Sequence, residues 1–162
     1  SLRKTLRRKQ YVVTADRAFR EVVQACAGPR PHHPLGETWI TAKMMDAYCR
    51  LHELGYAHSI ECWHGDRLAG GLYGVALGRV FFGESMFSHR TDASKVALVY
   101  LTRQLMRLKF ALIDCQVSSA HLYSLGAKEI SRREFMRQLD DAIAENKHPS
   151  CDRWTLEPDS SA

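Results

Sequence analysis

The stretch from residue 57 to residue 115 constrains the fold most. Ala57–Trp63 alternates apolar and polar side chains, and His64-Gly65-Asp66 then turns the chain. Leu68–Val75 returns, and Val80–Phe82 begins a third strand. Connections this short join only antiparallel neighbours. A long helical pattern follows over Ala93–Lys109, with Val96, Leu98, Val99, Leu101, Leu105 and Leu108 as its apolar positions. Phe110–Cys115 then reads as a buried strand. A helix of that length carries the chain back across the sheet, which makes the unit a β-α-β crossover. The order predicts an α+β fold with a central mixed sheet flanked by helices. Gly70, Gly71 and Gly74 inside the second strand predict a bulge or a close backbone approach.

Around this frame the remaining segments are shorter. Residues 2–9 read as a basic amphipathic helix with Leu2 and Leu6 on one face. Tyr11-Val12-Val13 is a short strand, and residues 15–27 a helix with Phe19, Val22, Val23 and Cys26 at helical spacing. Gly28–Gly36, with three prolines, is an exposed loop. Thr41 is the expected N-cap of a helix to Leu54, closed by Gly55. His121–Leu125 is a helical turn ended by Gly126. Ser131 and Glu134 form a capping box for a last helix to about residue 145. The tail from Pro149 is polar and expected to be loose.

The chain has 162 residues, one domain's worth, with 45% hydrophobic and 25% charged side chains, which is globular usage. No run approaches the roughly 18 apolar residues of a membrane span, and no apolar segment of the signal-peptide kind follows the basic start. The net charge of +5 is local. Residues 1–10 hold Arg3, Lys4, Arg7, Arg8 and Lys9 and no acid, while the other 18 basic side chains are matched by 18 acidic ones. Such a cluster reads as a phosphate-binding patch or as a solvated terminus. Five cysteines without a CxxC fit reduced thiols in the cytosol better than a disulfide framework. Eight histidines show no zinc spacing, and no metal site is expected.

Two places carry candidate chemistry. Asp114 and Gln116 bracket Cys115 at the end of the apolar run Ala111-Leu112-Ile113, and a spacing of two puts both polar side chains on one strand face. The carboxyl end of a strand beside a β-α-β crevice is a common place for a site. The plainer alternative makes Asp114 a turn cap and Gln116 a surface residue. Glu84 follows Phe81-Phe82 among Met and aromatic residues, and suits an ammonium group beside an apolar pocket, or else sits at a strand end in water. Cys115 with His121 as a nucleophilic pair is disfavoured, because the spacing points Cys115 away from the Asp114 face.

Several runs together resemble the leucyl/phenylalanyl-tRNA–protein transferases. They are Glu37–Thr41, His52–Glu61, Gly70–Val75, Phe82–Ser88, Ala93–Lys95, Ile113–Gln116, Ser124–Ala127 and Ile130–Arg133. The likeness runs from about residue 3 to residue 140. It implies a GNAT-like fold and a bacterial cytosolic enzyme without a cofactor, acting as a monomer. Its members move Leu or Phe, and Met less well, from aminoacyl-tRNA to a protein whose N-terminus is Arg or Lys, which marks it for N-degron degradation. The resemblance implies Asp114 and Gln116 as the catalytic pair and Glu84 as the partner of the aminoacyl amino group. It also implies Trp39, Leu72, Phe81, Ser85, Leu101, Leu105 and Ile113 around the aminoacyl-adenosine pocket, and Lys4, Arg7 and Arg8 on tRNA. Leu101 and Leu105 stand where aromatics can occur in the family, Leu72 where Met can, and Ser119 where Asn or Thr is usual. The family's smaller N-terminal domain is expected to be absent here. Residues 1–10 are then a tRNA-binding helix, 11–148 the catalytic domain and 149–162 a loose tail.

Two other functions fit the same fold class. One is an acyl-CoA-dependent N-acetyltransferase, which needs a glycine-rich turn before the long helix to hold the pyrophosphate. Ser88–Ser94 has no glycine and adds Asp92. The other is a non-catalytic tRNA-binding module, opposed by the presence of Glu84, Asp114 and Gln116.

Overall fold

Gly65 and Gly78, with φ of 62° and 55°, supply the left-handed turns that fold the middle of the chain into a meander. The computed structural model describes residues 1–28, 40–144 and 153–157. In chain order the elements are α1 (Leu2–Arg7), β1 (Val12–Ala15), α2 (Phe19–Cys26), α3 (Ala42–Glu53), β2 (Ala57–His64), β3 (Arg67–Leu77), β4 (Val80–Ser88), α4 (Ala93–Arg107), β5 (Leu112–Asp114), α5 (Ala120–Ser124) and α6 (Arg132–Ala144). The five strands lie in the order β1-β2-β3-β4-β5. All neighbours are antiparallel except β4 and β5, which run parallel after the α4 crossover. The α+β mixed sheet and the β-α-β unit expected from the sequence are therefore present.

Successive β3 residues face opposite layers, as the pleat requires. Leu72 joins Ile60, Phe81, Val96, Leu101 and Leu105 in the core under α4. Tyr73 joins Phe19, Val22, Val23, Cys26 and Phe87 in the core under α2. Gly70 lets α4 start directly on β3, since a Cβ there would lie 2.6 Å from Cβ of Ala93. The Thr41 hydroxyl accepts from the Met44 N–H, and Gly55 takes φ 83°, so α3 is capped at both ends as its sequence predicts.

Two features of the sheet shape what lies beside it. First, Gly83 faces Gly74 and Ser85 faces Tyr73, so Glu84 is the extra residue of a β-bulge. Second, β5 pairs with β4 only over Val80–Phe82. Beyond Phe82, β4 runs on to Ser88 while β5 has ended, and the two strands part.

Several boundaries differ from the sequence reading. The helix expected over 15–27 starts at Phe19, because Ala15 pairs with Ile60 and Asp16 turns the chain with φ 54°. Strand β5 is three residues long and half-buried, not a buried run over 110–115, because it is an edge strand paired on one side. Of the capping box, Ser131 accepts the Glu134 N–H, but the Glu134 carboxylate takes Arg137 and Gln138 instead. In the span 149–162, read as a loose tail, the described residues are 153–157, and there Trp154 is seated against the sheet. Its backbone N–H donates to Asp16 at 2.6 Å and its ring stacks on His58. The loop Gly28–Gly36 lies outside the described residues beyond Gly28.

Candidate active site

A cavity of about 340 Å³ opens where β4 and β5 part. It is at the small end of the range for ligand pockets. Its floor and walls are Leu72, Phe81, Leu101 and Ile113, with Leu98 and Leu122 closing the α4 and α5 sides. Glu84 and Ser85 lie on its rim strand. Leu105 does not line it: one turn beyond Leu101, it is buried in the core. Trp39 lies outside the described residues.

The bulge aims Glu84 out of the ladder, and two donors fix its carboxylate. The Tyr48 hydroxyl donates to Oε2 at 2.9 Å, and the Gln116 amide donates to Oε1 at 3.3 Å. The same amide donates to the Gly83 carbonyl at 2.8 Å. Glu84 is thus tied to α3 on one side and to the chain after β5 on the other. Burial, then the bond to Glu84, pushes the Tyr48 hydroxyl well above its ordinary pKa, so it stays a donor. Tyr48 was not foreseen from the sequence. The only signal it gives is its place on the half-buried side of α3, shared with Met44, Met45 and Cys49.

Asp114 and Gln116 are adjacent, but not as same-face strand neighbours. The strand ends at Asp114, and Gln116 takes φ 62°. Period-2 alternation therefore stops before Cys115, which turns into the cavity together with His121. The Asp114 carboxylate accepts the backbone N–H of Gln116 at 2.8 Å. That bond holds the left-handed turn, and the Gln116 side chain is then free to reach Gly83 and Glu84. Its amide oxygen has no partner among the described residues. Burial first, then the charge of Asp114, raises the pKa of the Cys115 thiol.

A second, wider groove of about 760 Å³ runs along β5, α5 and α6. Asp114 and Gln116 line it with Tyr123, Ile130 and Phe135, and Cys115 and Val117 border both spaces. Gln116 thus stands in the groove and touches the carboxylate at the rim of the cavity.

Helix α1 carries the basic cluster. Leu2 and Leu6 pack on the α4-side core, and the Thr5 hydroxyl donates to Asp92 at 3.1 Å. Arg3, Lys4, Arg7, Arg8 and Lys9 are exposed, and none makes an ion pair among the described residues. No cluster of three His, Cys, Asp or Glu side chains is arranged to hold a metal among the described residues. Nor is any described helix long and apolar enough to cross a membrane.

The sheet that splays after one parallel pairing is a GNAT-like α+β fold. A soil-metagenome aminoglycoside acetyltransferase solved with sisomicin superposes with a TM-score of 0.54 at 10% identity, covering 93% of this chain and 99% of its own. The same enzyme solved with trehalose gives 0.53. Sequence is more specific than fold. The family model described as leucyl/phenylalanyl-tRNA protein transferase matches residues 1–140, and this chain belongs to that family. A leucyl/phenylalanyl-tRNA–protein transferase of Aromatoleum aromaticum is 57% identical over 97% of this chain and 65% of its own length. One of Syntrophobacter fumaroxidans is 58% identical over 91% and 63%, and one of an Azoarcus species 54% over 96% and 64%. The chain thus spans just under two-thirds of the length of the curated relatives it matches.

Proposed function

We propose that this chain moves Leu or Phe, and Met less well, from aminoacyl-tRNA to the α-amino group of a polypeptide beginning with Arg or Lys, a mark for N-degron degradation. One observation carries the chemistry: a bulge-mounted carboxylate, Glu84, fixed by Tyr48 and Gln116 at the rim of a small apolar cavity. The donor's side chain fills the space between Leu72, Phe81, Leu101 and Ile113, with Ser85 on the rim and Leu105 backing Leu101. The donor's ammonium group meets Glu84, which supplies the charge that an apolar wall cannot. A branch at Cβ would crowd the walls next to the carboxylate that holds the ammonium group, so Val and Ile are rejected by shape.

The ester of aminoacyl-tRNA is already activated. The acceptor amine attacks its carbonyl carbon, the bond to the ribose oxygen breaks, and the amine's proton ends on that oxygen. No covalent enzyme intermediate is required. Holding the two reactants in line supplies up to about 7–11 kcal/mol. Gln116 donates its NH2 to Gly83 and Glu84, so its amide oxygen is what it offers the arriving amine. Asp114 acts through the backbone of Gln116 rather than by polarising its amide. The wide groove that Gln116 borders gives the acceptor polypeptide its approach. Cys115 is a poor nucleophile, since its raised pKa keeps it a thiol. Lys4, Arg7 and Arg8 meet phosphates of the tRNA acceptor arm, which position without reading much sequence.

The acetyltransferase reading has the fold but not the electrostatics. The Asp92 carboxylate sits at the start of α4, held by Thr5 and Lys95, where a pyrophosphate would need a glycine-rich anion cradle. The test is transfer of labelled Phe from Phe-tRNA to an Arg-initiated peptide and to its N-acetylated form. Label on the free peptide alone supports the proposal. Absence of transfer to either, or acetylation from acetyl-CoA instead, overturns it.

A further inference from the structure

The carboxylate of Asp16 is buried, outside the cavity, and gathers three parts of the chain. Its Oδ2 accepts from Nδ1 of His58 at 2.7 Å and from the backbone N–H of Trp154 at 2.6 Å. Its Oδ1 accepts the Ser59 N–H at 2.9 Å. His58 has acceptors on both ring nitrogens, since Nε2 faces the Gly55 carbonyl at 3.1 Å. On this ring the indole of Trp154 lies flat, with centroids 3.9 Å apart and planes 5° apart. The next residues are held as well. Arg107 donates to the Thr155 carbonyl and lies 3.7 Å from Glu157, and Leu156 packs on the core. Residues 153–157 are therefore a strap across the α4 side of the sheet.

Trp154 brings the strap up to a wall of the cavity. Trp154 lies 5.9 Å from Phe81, tilted by 35°, and edge-on to Phe110 at 6.1 Å. Phe81 is fully buried and lines the cavity, whereas Trp154 does not line it. Phe81 has no slack toward the sheet: at Gly74, a Cβ would meet its ring atoms at 2.6 Å. The ring thus meets the Gly74 backbone, the cavity and the indole, and of these the indole lies outside both the sheet and the cavity lining.

We infer that Trp154 is a positioning residue that sets the depth of the aminoacyl cavity through Phe81, and so the balance between Leu and Phe donors. This rests on the transfer reading above. Removing the indole vacates space behind Phe81, the ring backs into it, and the cavity deepens in favour of the longer side chain.

The test is kcat/KM for Leu-tRNA and for Phe-tRNA with the wild-type chain, Trp154→Ala and Trp154→Phe, alongside a crystal structure of Trp154→Ala. The expected result is a shift of the Phe:Leu ratio by about tenfold toward Phe in Trp154→Ala, the scale on which a cavity discriminates one methylene, carried mainly in KM for Leu. Trp154→Phe keeps a flat ring behind Phe81 and should hold the wild-type ratio. An unchanged ratio in folded Trp154→Ala overturns the inference while leaving the transfer reading intact. A wild type without transfer defeats that reading and the donor balance with it, and the crystal structure then decides whether Trp154 sets the cavity depth: Phe81 displaced into the vacated space supports it, Phe81 in place overturns it. If Trp154→Ala does not fold, Trp154→Leu is measured the same way, with the same shift expected and an unchanged ratio overturning the inference.

Discussion

The hydroxyl of Tyr48, on α3, donates to Oε2 of Glu84 at 2.9 Å across the gap between helix and bulge. Its ring stands edge-on to Tyr73, 5.1 Å away, so the hydroxyl has little freedom to leave. A carboxylate at the rim of an apolar cavity is useful only if it is held there against the pull of water. Tyr48 and Gln116 provide that hold from opposite sides.

Tyr48→Phe removes one hydrogen bond to a charged group, worth about 1.5–3 kcal/mol. Transfer from a minimal aminoacyl-adenosine donor should fall about 10–100-fold in kcat/KM, and Glu84→Ala should fall further. Both variants should still fold, Tyr48→Phe with an unfolding temperature lowered by about 2–4 °C for each kcal/mol lost. Wild-type kinetics in folded Glu84→Ala would remove that carboxylate from the site.

Asp114 touches Gln116 through its backbone, and that bond separates two roles. If the carboxylate holds a turn, Asp114→Asn keeps an oxygen in place and should retain much of the activity, while Asp114→Ala should lose most of it. If its charge polarised the Gln116 amide, Asn would fail as badly as Ala. The ratio of kcat for the two variants decides between them.

Cys115 should alkylate slowly at neutral pH. Burial and the neighbouring Asp114 disfavour its thiolate, so the pKa moves up. Reaction with iodoacetamide, followed by peptide mapping, should rise only above the range of an ordinary thiol, about 8.5. A rate already half-maximal below that pH would contradict the assignment and would reopen a nucleophilic role with His121.

Replacing Lys4, Arg7 and Arg8 with Ala should weaken aminoacyl-tRNA binding and flatten its dependence on salt. The log–log slope should drop by about 0.7–0.9 for each phosphate that is no longer neutralised. Binding of the short aminoacyl-adenosine should be spared, since Leu2 and Leu6, not the basic residues, dock α1. Equal weakening for both donors would show that the cluster acts through folding.

How much of this was legible in the sequence depended on the range of the cause. Thr41, Gly55, Gly65 and Gly126 act within a turn of themselves, and the caps and turns they predict are present. The meander and crossover followed from alternation and segment length. The long-range arrangements were not readable. Asp16 looked like a helix residue, but it is a buried acceptor for groups up to 138 residues away. Cys115 and Gln116 escaped the period-2 argument because one left-handed residue ends the alternation. Glu84 was singled out from its apolar neighbours and its family motif, yet its aim depends on a bulge set by pairing with Tyr73 and Gly74. Trp154 read as tail because nothing local marks a tryptophan that stacks on β2.

The most direct measurement is equilibrium binding of an amide-linked phenylalanyl-adenosine, compared with its N-acetyl derivative and with acetyl-CoA. The free-amine compound should bind, its acetylated form should bind at least about tenfold more weakly, and acetyl-CoA should not compete. In Glu84→Ala the penalty for acetylation should disappear, because the carboxylate that reads the ammonium is gone. Equal binding of the amine and its acetylated form to the wild type, or displacement by acetyl-CoA, would contradict the account.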